Sequence, residues 1–65
     1  MKVLQDYLQV AGITQAELAK RSEISVEELN RFVQGKREPR IKNLRKISKA
    51  TGISLEKLVE SLGNT

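Results

Sequence analysis

The side chains of this 65-residue chain best suited to binding chemistry are basic, and most of them lie in one segment. Residues 31–49 contain eight lysines and arginines against a single acidic residue, Glu38, whereas the rest of the chain carries a net charge of −3. The eight are Arg31, Lys36, Arg37, Arg40, Lys42, Arg45, Lys46 and Lys49. Because phosphate neutralisation supplies most of sequence-independent nucleic-acid affinity, this segment suits a surface that faces a polyanion. The same charges are also compatible with a solvated helix face.

The composition argues against several other kinds of site. The chain contains no cysteine and no histidine, so it lacks disulfides, thiolates, the commonest metal ligand and the commonest general base at neutral pH. No apolar run approaches the length of a membrane span, and the N-terminal stretch does not resemble a signal peptide. We therefore expect one cytoplasmic domain over residues 1–65 that is not an enzyme, with no cofactor, no metal, no membrane partner and no small-molecule substrate.

The residues that could start and stop helices predict two short helices in the first third of the chain. Apolar side chains recur at helical spacing from Lys2 to Ala11, and Gly12 follows where a left-handed residue would end the helix. Thr14 and Glu17 form a capping-box pattern for a second helix that ends near Ser22. The side chains predicted to face inward are Val3, Leu4, Tyr7, Leu8, Ala11, Leu18 and Ala19.

Three further helices follow by the same reasoning. Ser25 and Glu28 repeat the capping box, and Gly35 ends that third helix before a basic loop over residues 36–40. A fourth helix runs to Gly52, and Ser54 caps a fifth that ends before Gly63. The side chains predicted to face inward are Leu29, Phe32, Val33, Ile41, Leu44, Ile47, Thr51, Leu55, Leu58, Val59 and Leu62. Because no stretch alternates apolar and polar residues for long enough to form a β-strand, we expect a compact cluster of helices.

Helices 2 and 3, capped and joined by a short turn, have the form of a helix-turn-helix. The chain resembles the phage repressor and Cro (Xre-like) family of such domains along nearly its whole length. The resemblance lies in Thr14-Gln15-Ala16-Glu17-Leu18-Ala19, Ile24-Ser25, Leu29, Gly35-Lys36-Arg37-Glu38-Pro39, and Ile47 through Ile53-Ser54-Leu55 with Leu58. It implies an all-α, five-helix, lambda-repressor-like DNA-binding domain in which helix 3 enters the major groove.

The resemblance assigns base contacts to the exposed face of helix 3, at Val26, Glu27, Asn30 and Arg31. Arginine can hydrogen-bond guanine, asparagine adenine and glutamate cytosine, and valine can pack on a thymine methyl. Other roles stay open. Glu27 could serve only the helix dipole, Glu28 could be only the capping partner of Ser25, and Arg31 could contact a phosphate.

Contacts to the DNA backbone are expected from residues that would set register rather than sequence. They are Gln15, Ser25, Lys36, Arg37, Arg40, Lys42 and Asn43. Lys46 and Lys49 are expected to act through their long-range field or to be simply solvated. Helix 4 lacks a side-chain cap and begins with Arg40 and Lys42, an unfavourable arrangement that a bound phosphate would relieve; the alternative is capping by water.

The chain departs from the family at two places. Glu23 stands in the turn where most relatives carry glycine, and this implies a small backbone strain. Leu8 and Val33 replace an arginine–glutamate pair of many relatives, so a hydrophobic contact is expected there.

Two functions are compatible with these features. One is sequence-specific binding of double-stranded DNA by a transcriptional regulator, acting as a repressor, either alone or as a weak or DNA-induced homodimer through helix 5. Half-sites would then lie about 10 base pairs apart. The alternative is a protein-interaction module, such as an antitoxin or phage-control component, which the acidic pair Glu27 and Glu28 favours.

Overall fold

A computed structural model describes residues 1–62 and contains only α-helices and connecting loops in that range. The five helices are α1 (Lys2–Ala11), α2 (Gln15–Ser22), α3 (Val26–Val33), α4 (Ile41–Thr51) and α5 (Leu55–Leu62). The prediction of an all-helical fold is confirmed for these residues, whereas the predicted helix end at Gly63 lies outside them. Within the described range no helix combines the length and the apolar character that crossing a bilayer requires.

Three helices start at the predicted hydroxyl caps. The side-chain oxygens of Thr14, Ser25 and Ser54 each accept a hydrogen bond from the amide three residues later, at 3.1–3.2 Å. In both capping boxes the glutamate side chain bonds elsewhere than to the amide of its capping residue. Glu17 instead accepts from Arg21 Nη2 at 3.4 Å, one turn further along α2, and the carboxylate of Glu28 turns towards α4.

The turn between α2 and α3 contains residues 23–25 and has the geometry of a Schellman motif. Glu23 has φ 58° and ψ 37°, so the strained left-handed conformation expected there is confirmed. The amide of Glu23 donates to the carbonyl of Lys20, and that of Ile24 donates to the carbonyl of Ala19 at 3.1 Å. Since Ile24 is only 6% exposed, its burial helps to fix the angle at which α3 leaves the turn.

The hydrophobic core draws at least one fully buried side chain from every helix. These side chains are Leu4, Leu18, Leu29, Phe32, Ile47 and Leu58. Helix α2 packs against α3 and α4, α4 also packs against α5, and α1 contacts α3 and α5. Leu8 packs against the core cluster that includes Val33. Apolar side chains therefore occupy the two positions at which many members of the resembled family have an arginine–glutamate pair. The core thereby holds α3 with one face inward and the other in solvent.

Three predictions of inward-facing residues are wrong. Ile41 at the start of α4 is 53% exposed, Val59 of α5 is 46% exposed, and Ala11 at the end of α1 is also exposed. Each lies on the apolar stripe of its helix, but at a point where the stripe is not covered by a neighbouring helix. Helical spacing identifies the stripe, whereas its coverage depends on the packing of other helices.

Candidate nucleic-acid interface

The helix-turn-helix unit of α2 and α3 presents one amphipathic helix to solvent. Leu29, Phe32 and Val33 bury one face of α3, while Val26 is 43% exposed on the other face, beside the exposed Glu27. An α-helix with its side chains is about 10–12 Å across, close to the width of the DNA major groove. The dimensions and the polarity of α3 therefore suit insertion into that groove.

The outward face of α3 borders a concave surface that encloses a volume of about 460 Å³. Its lining residues are Gln15, Val26, Glu27, Asn30, Arg31 and Lys36. The structure thus brings all four predicted base-contacting residues together with two predicted backbone-contacting residues. They come from three separate places in the chain: the start of α2, the exposed face of α3 and the loop after α3.

Two residues of this surface are hydrogen-bonded to each other. Asn30 Nδ2 donates to Gln15 Oε1 at 2.7 Å, across the angle between α3 and α2. The bond fixes which side of the Asn30 amide faces Gln15, and it leaves Asn30 Oδ1 and one N–H for another partner. It also leaves the amide nitrogen of Gln15 available as a donor. Sequence reasoning gave the two residues separate roles and missed this link.

The start of α4 forms a second cluster of predicted contacts. Arg40 is the N-cap residue and makes no side-chain capping bond, and the first turn of α4 contains no acidic residue. Arg40 and Lys42 are both exposed. The prediction that this helix lacks a side-chain cap is confirmed. Asn43, in the same turn, is half-buried and donates through Nδ2 to Glu28 Oε1 at 3.4 Å.

The remaining predicted contacts lie outside the concave surface. The hydroxyl of Ser25 caps α3, and the side chain of Arg37 lines a different cavity together with Glu38 and Met1. Lys46, expected to act mainly through its long-range field or to be simply solvated, donates to the backbone carbonyl of Glu23 at 3.5 Å and so contacts the turn before α3.

The carboxyl end of α3 is held by two residues that sequence reasoning missed. The α-amino group of Met1 donates to the carbonyls of Phe32 and Val33, both at 3.0 Å. Gln5 Nε2 also donates to the carbonyl of Val33, at 2.9 Å. These donors satisfy the last carbonyls of the helix and place a positive charge at the negative end of its dipole. The partners lie about 30 residues apart, so the local sequence carries no signal for them.

Comparison with protein-family models matches residues 4–58 to a family described as helix-turn-helix. Comparisons with curated proteins and with solved structures found no match. The matched range begins within α1 and ends within α5, so it includes both clusters of predicted contacts.

Proposed function

The chain belongs to the helix-turn-helix family of phage repressor and Cro type, a family of DNA-binding domains, and we propose that it recognises specific double-stranded DNA and represses transcription. The observation that carries the proposal is the concave surface beside α3, where the candidate base-contacting residues meet Gln15 and Lys36. A domain that occupies its site lowers transcription by excluding other proteins from that DNA.

Base recognition is assigned to the outward face of α3. Arg31 would donate two hydrogen bonds to a guanine, Glu27 would accept from a cytosine amine, and Val26 would pack on a thymine methyl. Asn30 would contact an adenine with the amide atoms that its bond to Gln15 leaves available. Gln15 would at the same time donate to a phosphate, so this pair would link a base contact to a backbone contact.

The phosphate contacts are assigned to the residues around this face. Lys36 and Arg37 approach the backbone from the loop after α3, and the Ser25 hydroxyl from its start. Arg40 and Lys42 flank the uncapped amides of α4, where a phosphate would accept from those amides and pair with both cations. Asn43 keeps one N–H for the backbone, since its other one faces Glu28.

A weak or DNA-induced homodimer is proposed through α5 and its border with α4. Arg45, Lys49 and Leu55 line a concavity of about 380 Å³ there. Val59 follows Leu55 by one turn and is 46% exposed, and by helical periodicity the exposed Glu56 and Glu60 come next around α5. The order across this face is therefore basic, apolar and acidic. A two-fold axis that runs along the apolar residues would bring the basic side chains of each copy to the acidic side chains of the other.

The alternative of a protein-interaction module receives less support. It rested on two adjacent glutamates at the start of α3, and the carboxylate of Glu28 is bonded to Asn43. Glu27 alone extends to the concave surface, beside Arg31 and Lys36. A single glutamate among cations is better suited to a DNA groove than to an acidic docking surface.

The salt dependence of binding to duplex DNA tests the proposal. If four of the cations assigned to phosphates engage per monomer, the logarithm of the association constant should fall by about 3 to 4 for each tenfold rise in salt. Selection from a random duplex pool, carried out at two salt concentrations, would identify the preferred site. A slope near zero would overturn the DNA-binding proposal.

A further inference from the structure

Glu28 directs its carboxylate away from its own helix. Its backbone amide donates to Ser25 Oγ at 3.2 Å, which completes the cap of α3. Its side chain crosses to the next element, where Oε1 accepts from Asn43 Nδ2 at 3.4 Å. Glu28 is half-buried, whereas the neighbouring Glu27 is exposed and lines the concave surface. The two adjacent glutamates therefore face different parts of the molecule.

The carboxylate of Glu28 lies beside the first turn of α4. That turn has no acidic residue of its own and no side-chain cap, and it carries the cations of Arg40 and Lys42. An acidic group is stabilising at the amino end of a helix, where the dipole is positive. Glu28, a residue of α3, thus places a negative charge beside the first turn of α4, which has no acidic residue of its own.

We propose that Glu28 is an internal anion that limits the affinity of the domain for every DNA sequence. The inference rests on the proposed function, because it concerns the phosphate expected at the start of α4. A phosphate that approaches the first turn of α4 meets a negative charge already held beside that turn by the bond between Glu28 and Asn43. This repulsion involves no base, so it weakens binding to specific and random DNA by the same factor.

The substitution Glu28→Gln tests the proposal because it removes the charge and keeps an oxygen that can accept from Asn43. Affinity for the selected site and for a random duplex should both rise about threefold to tenfold, as expected for one charge several ångströms from a phosphate. The salt dependence should also steepen by up to about one unit, because one negative charge is removed from beside the expected phosphate site. The preferred sequence should stay unchanged.

Two further variants separate charge from shape and from base contact. Glu28→Asp keeps the charge on a shorter side chain, and its affinity should remain within about twofold of the unsubstituted protein. Glu27→Gln removes the neighbouring charge, so it should also raise binding to random DNA, but unlike Glu28→Gln it should change the preferred base at one position. Thermal unfolding of each variant shows that the comparison is made between folded proteins.

The outcomes distinguish this inference from the function on which it rests. If the unsubstituted protein shows no salt-dependent DNA binding, the proposed function fails. If it binds as expected but Glu28→Gln leaves both affinities unchanged or lowers them, Glu28 is not an opposing anion. The inference would also be overturned if Glu28→Asp raised the DNA affinity as much as Glu28→Gln does. A changed base preference with Glu28→Gln would overturn it too.

Discussion

The starts of α3 and α4 differ in how their unpaired backbone amides are stabilised. Both helices present unpaired amides and a positive dipole end. In α3 the hydroxyl of Ser25 caps an amide, and the exposed Glu27 places an acidic group in the first turn. The sequence of α4 provides neither device, Arg40 and Lys42 add positive charge, and the carboxylate beside that turn comes from Glu28 of α3. One helix start is stabilised by its own sequence, whereas the other is left attractive to an anion from outside.

This difference matches the separate roles proposed for the two elements. A helix that enters a groove must keep its shape in the free protein, because its side chains have to meet the bases in a fixed register. An element that binds the backbone can remain partly unsatisfied until a phosphate arrives.

The largest effect should come from Arg31→Ala, which removes the side chain assigned to a guanine. Affinity for the best site should fall by about 1 to 3 kcal/mol and base preference should relax at one position. Lys36→Ala, the matched cation from the loop, should weaken all sequences alike. Binding titrations on selected and random duplexes measure both. Equal losses on the two duplexes for both variants would contradict the separation of base and phosphate contacts.

Arg40→Asp should reverse the character of the start of α4. It provides a side-chain cap and a favourable charge, so the free protein should keep or gain stability, while DNA affinity should fall at least about tenfold. Lys57→Asp is a suitable control, since it makes the same charge change in the first turn of α5, where Lys57 lies beside Val3, Glu60 and Ser61 and not beside a predicted DNA contact. Thermal unfolding and DNA titration report the two quantities. Unchanged affinity for Arg40→Asp would show that no phosphate binds there.

The smallest effect concerns stability at the start of α3. Ser25→Ala should lower the free energy of unfolding by about 1 kcal/mol because an amide loses its cap, whereas Arg40→Ala should change it little. Ser54→Ala removes a matching cap from α5 and should cost a similar amount of stability. Denaturant titration measures all three variants. If Arg40→Ala proved as destabilising as Ser25→Ala, the contrast between the two helix starts would be wrong.

Most of the helix boundaries could be predicted because their signals are local. A hydroxyl cap such as Thr14 or Ser54 is followed three residues later by the amide that it binds, and a residue such as Gly12 adopts the left-handed conformation where the helix ends. These interactions span only a few residues, so residue type and spacing are sufficient to identify them. The same reasoning placed the exposed face of α3 correctly.

The links between helices could not be predicted because they depend on packing. Gln15 meets Asn30, and Glu28 meets Asn43, each across 15 residues and between two elements. The capping-box pattern even suggested a different partner for Glu28. Residue types give the chemistry of such side chains, but only the angle between helices determines which of them meet. The residue types that line the concave surface were therefore visible in the sequence, whereas the bonds that connect them to other helices were not.

The left-handed conformation of Glu23 has a consequence for how this domain could change over time. Strain at such a residue amounts to about 1 kcal/mol, and glycine would relieve part of it. Glutamate and glycine codons differ by a single base, so this stabilising change is within reach of one mutation. Substitutions in α3 that alter base preference at some loss of stability could then be tolerated. The stability gained by replacing Glu23 with glycine would offset the stability lost when α3 changes its DNA specificity.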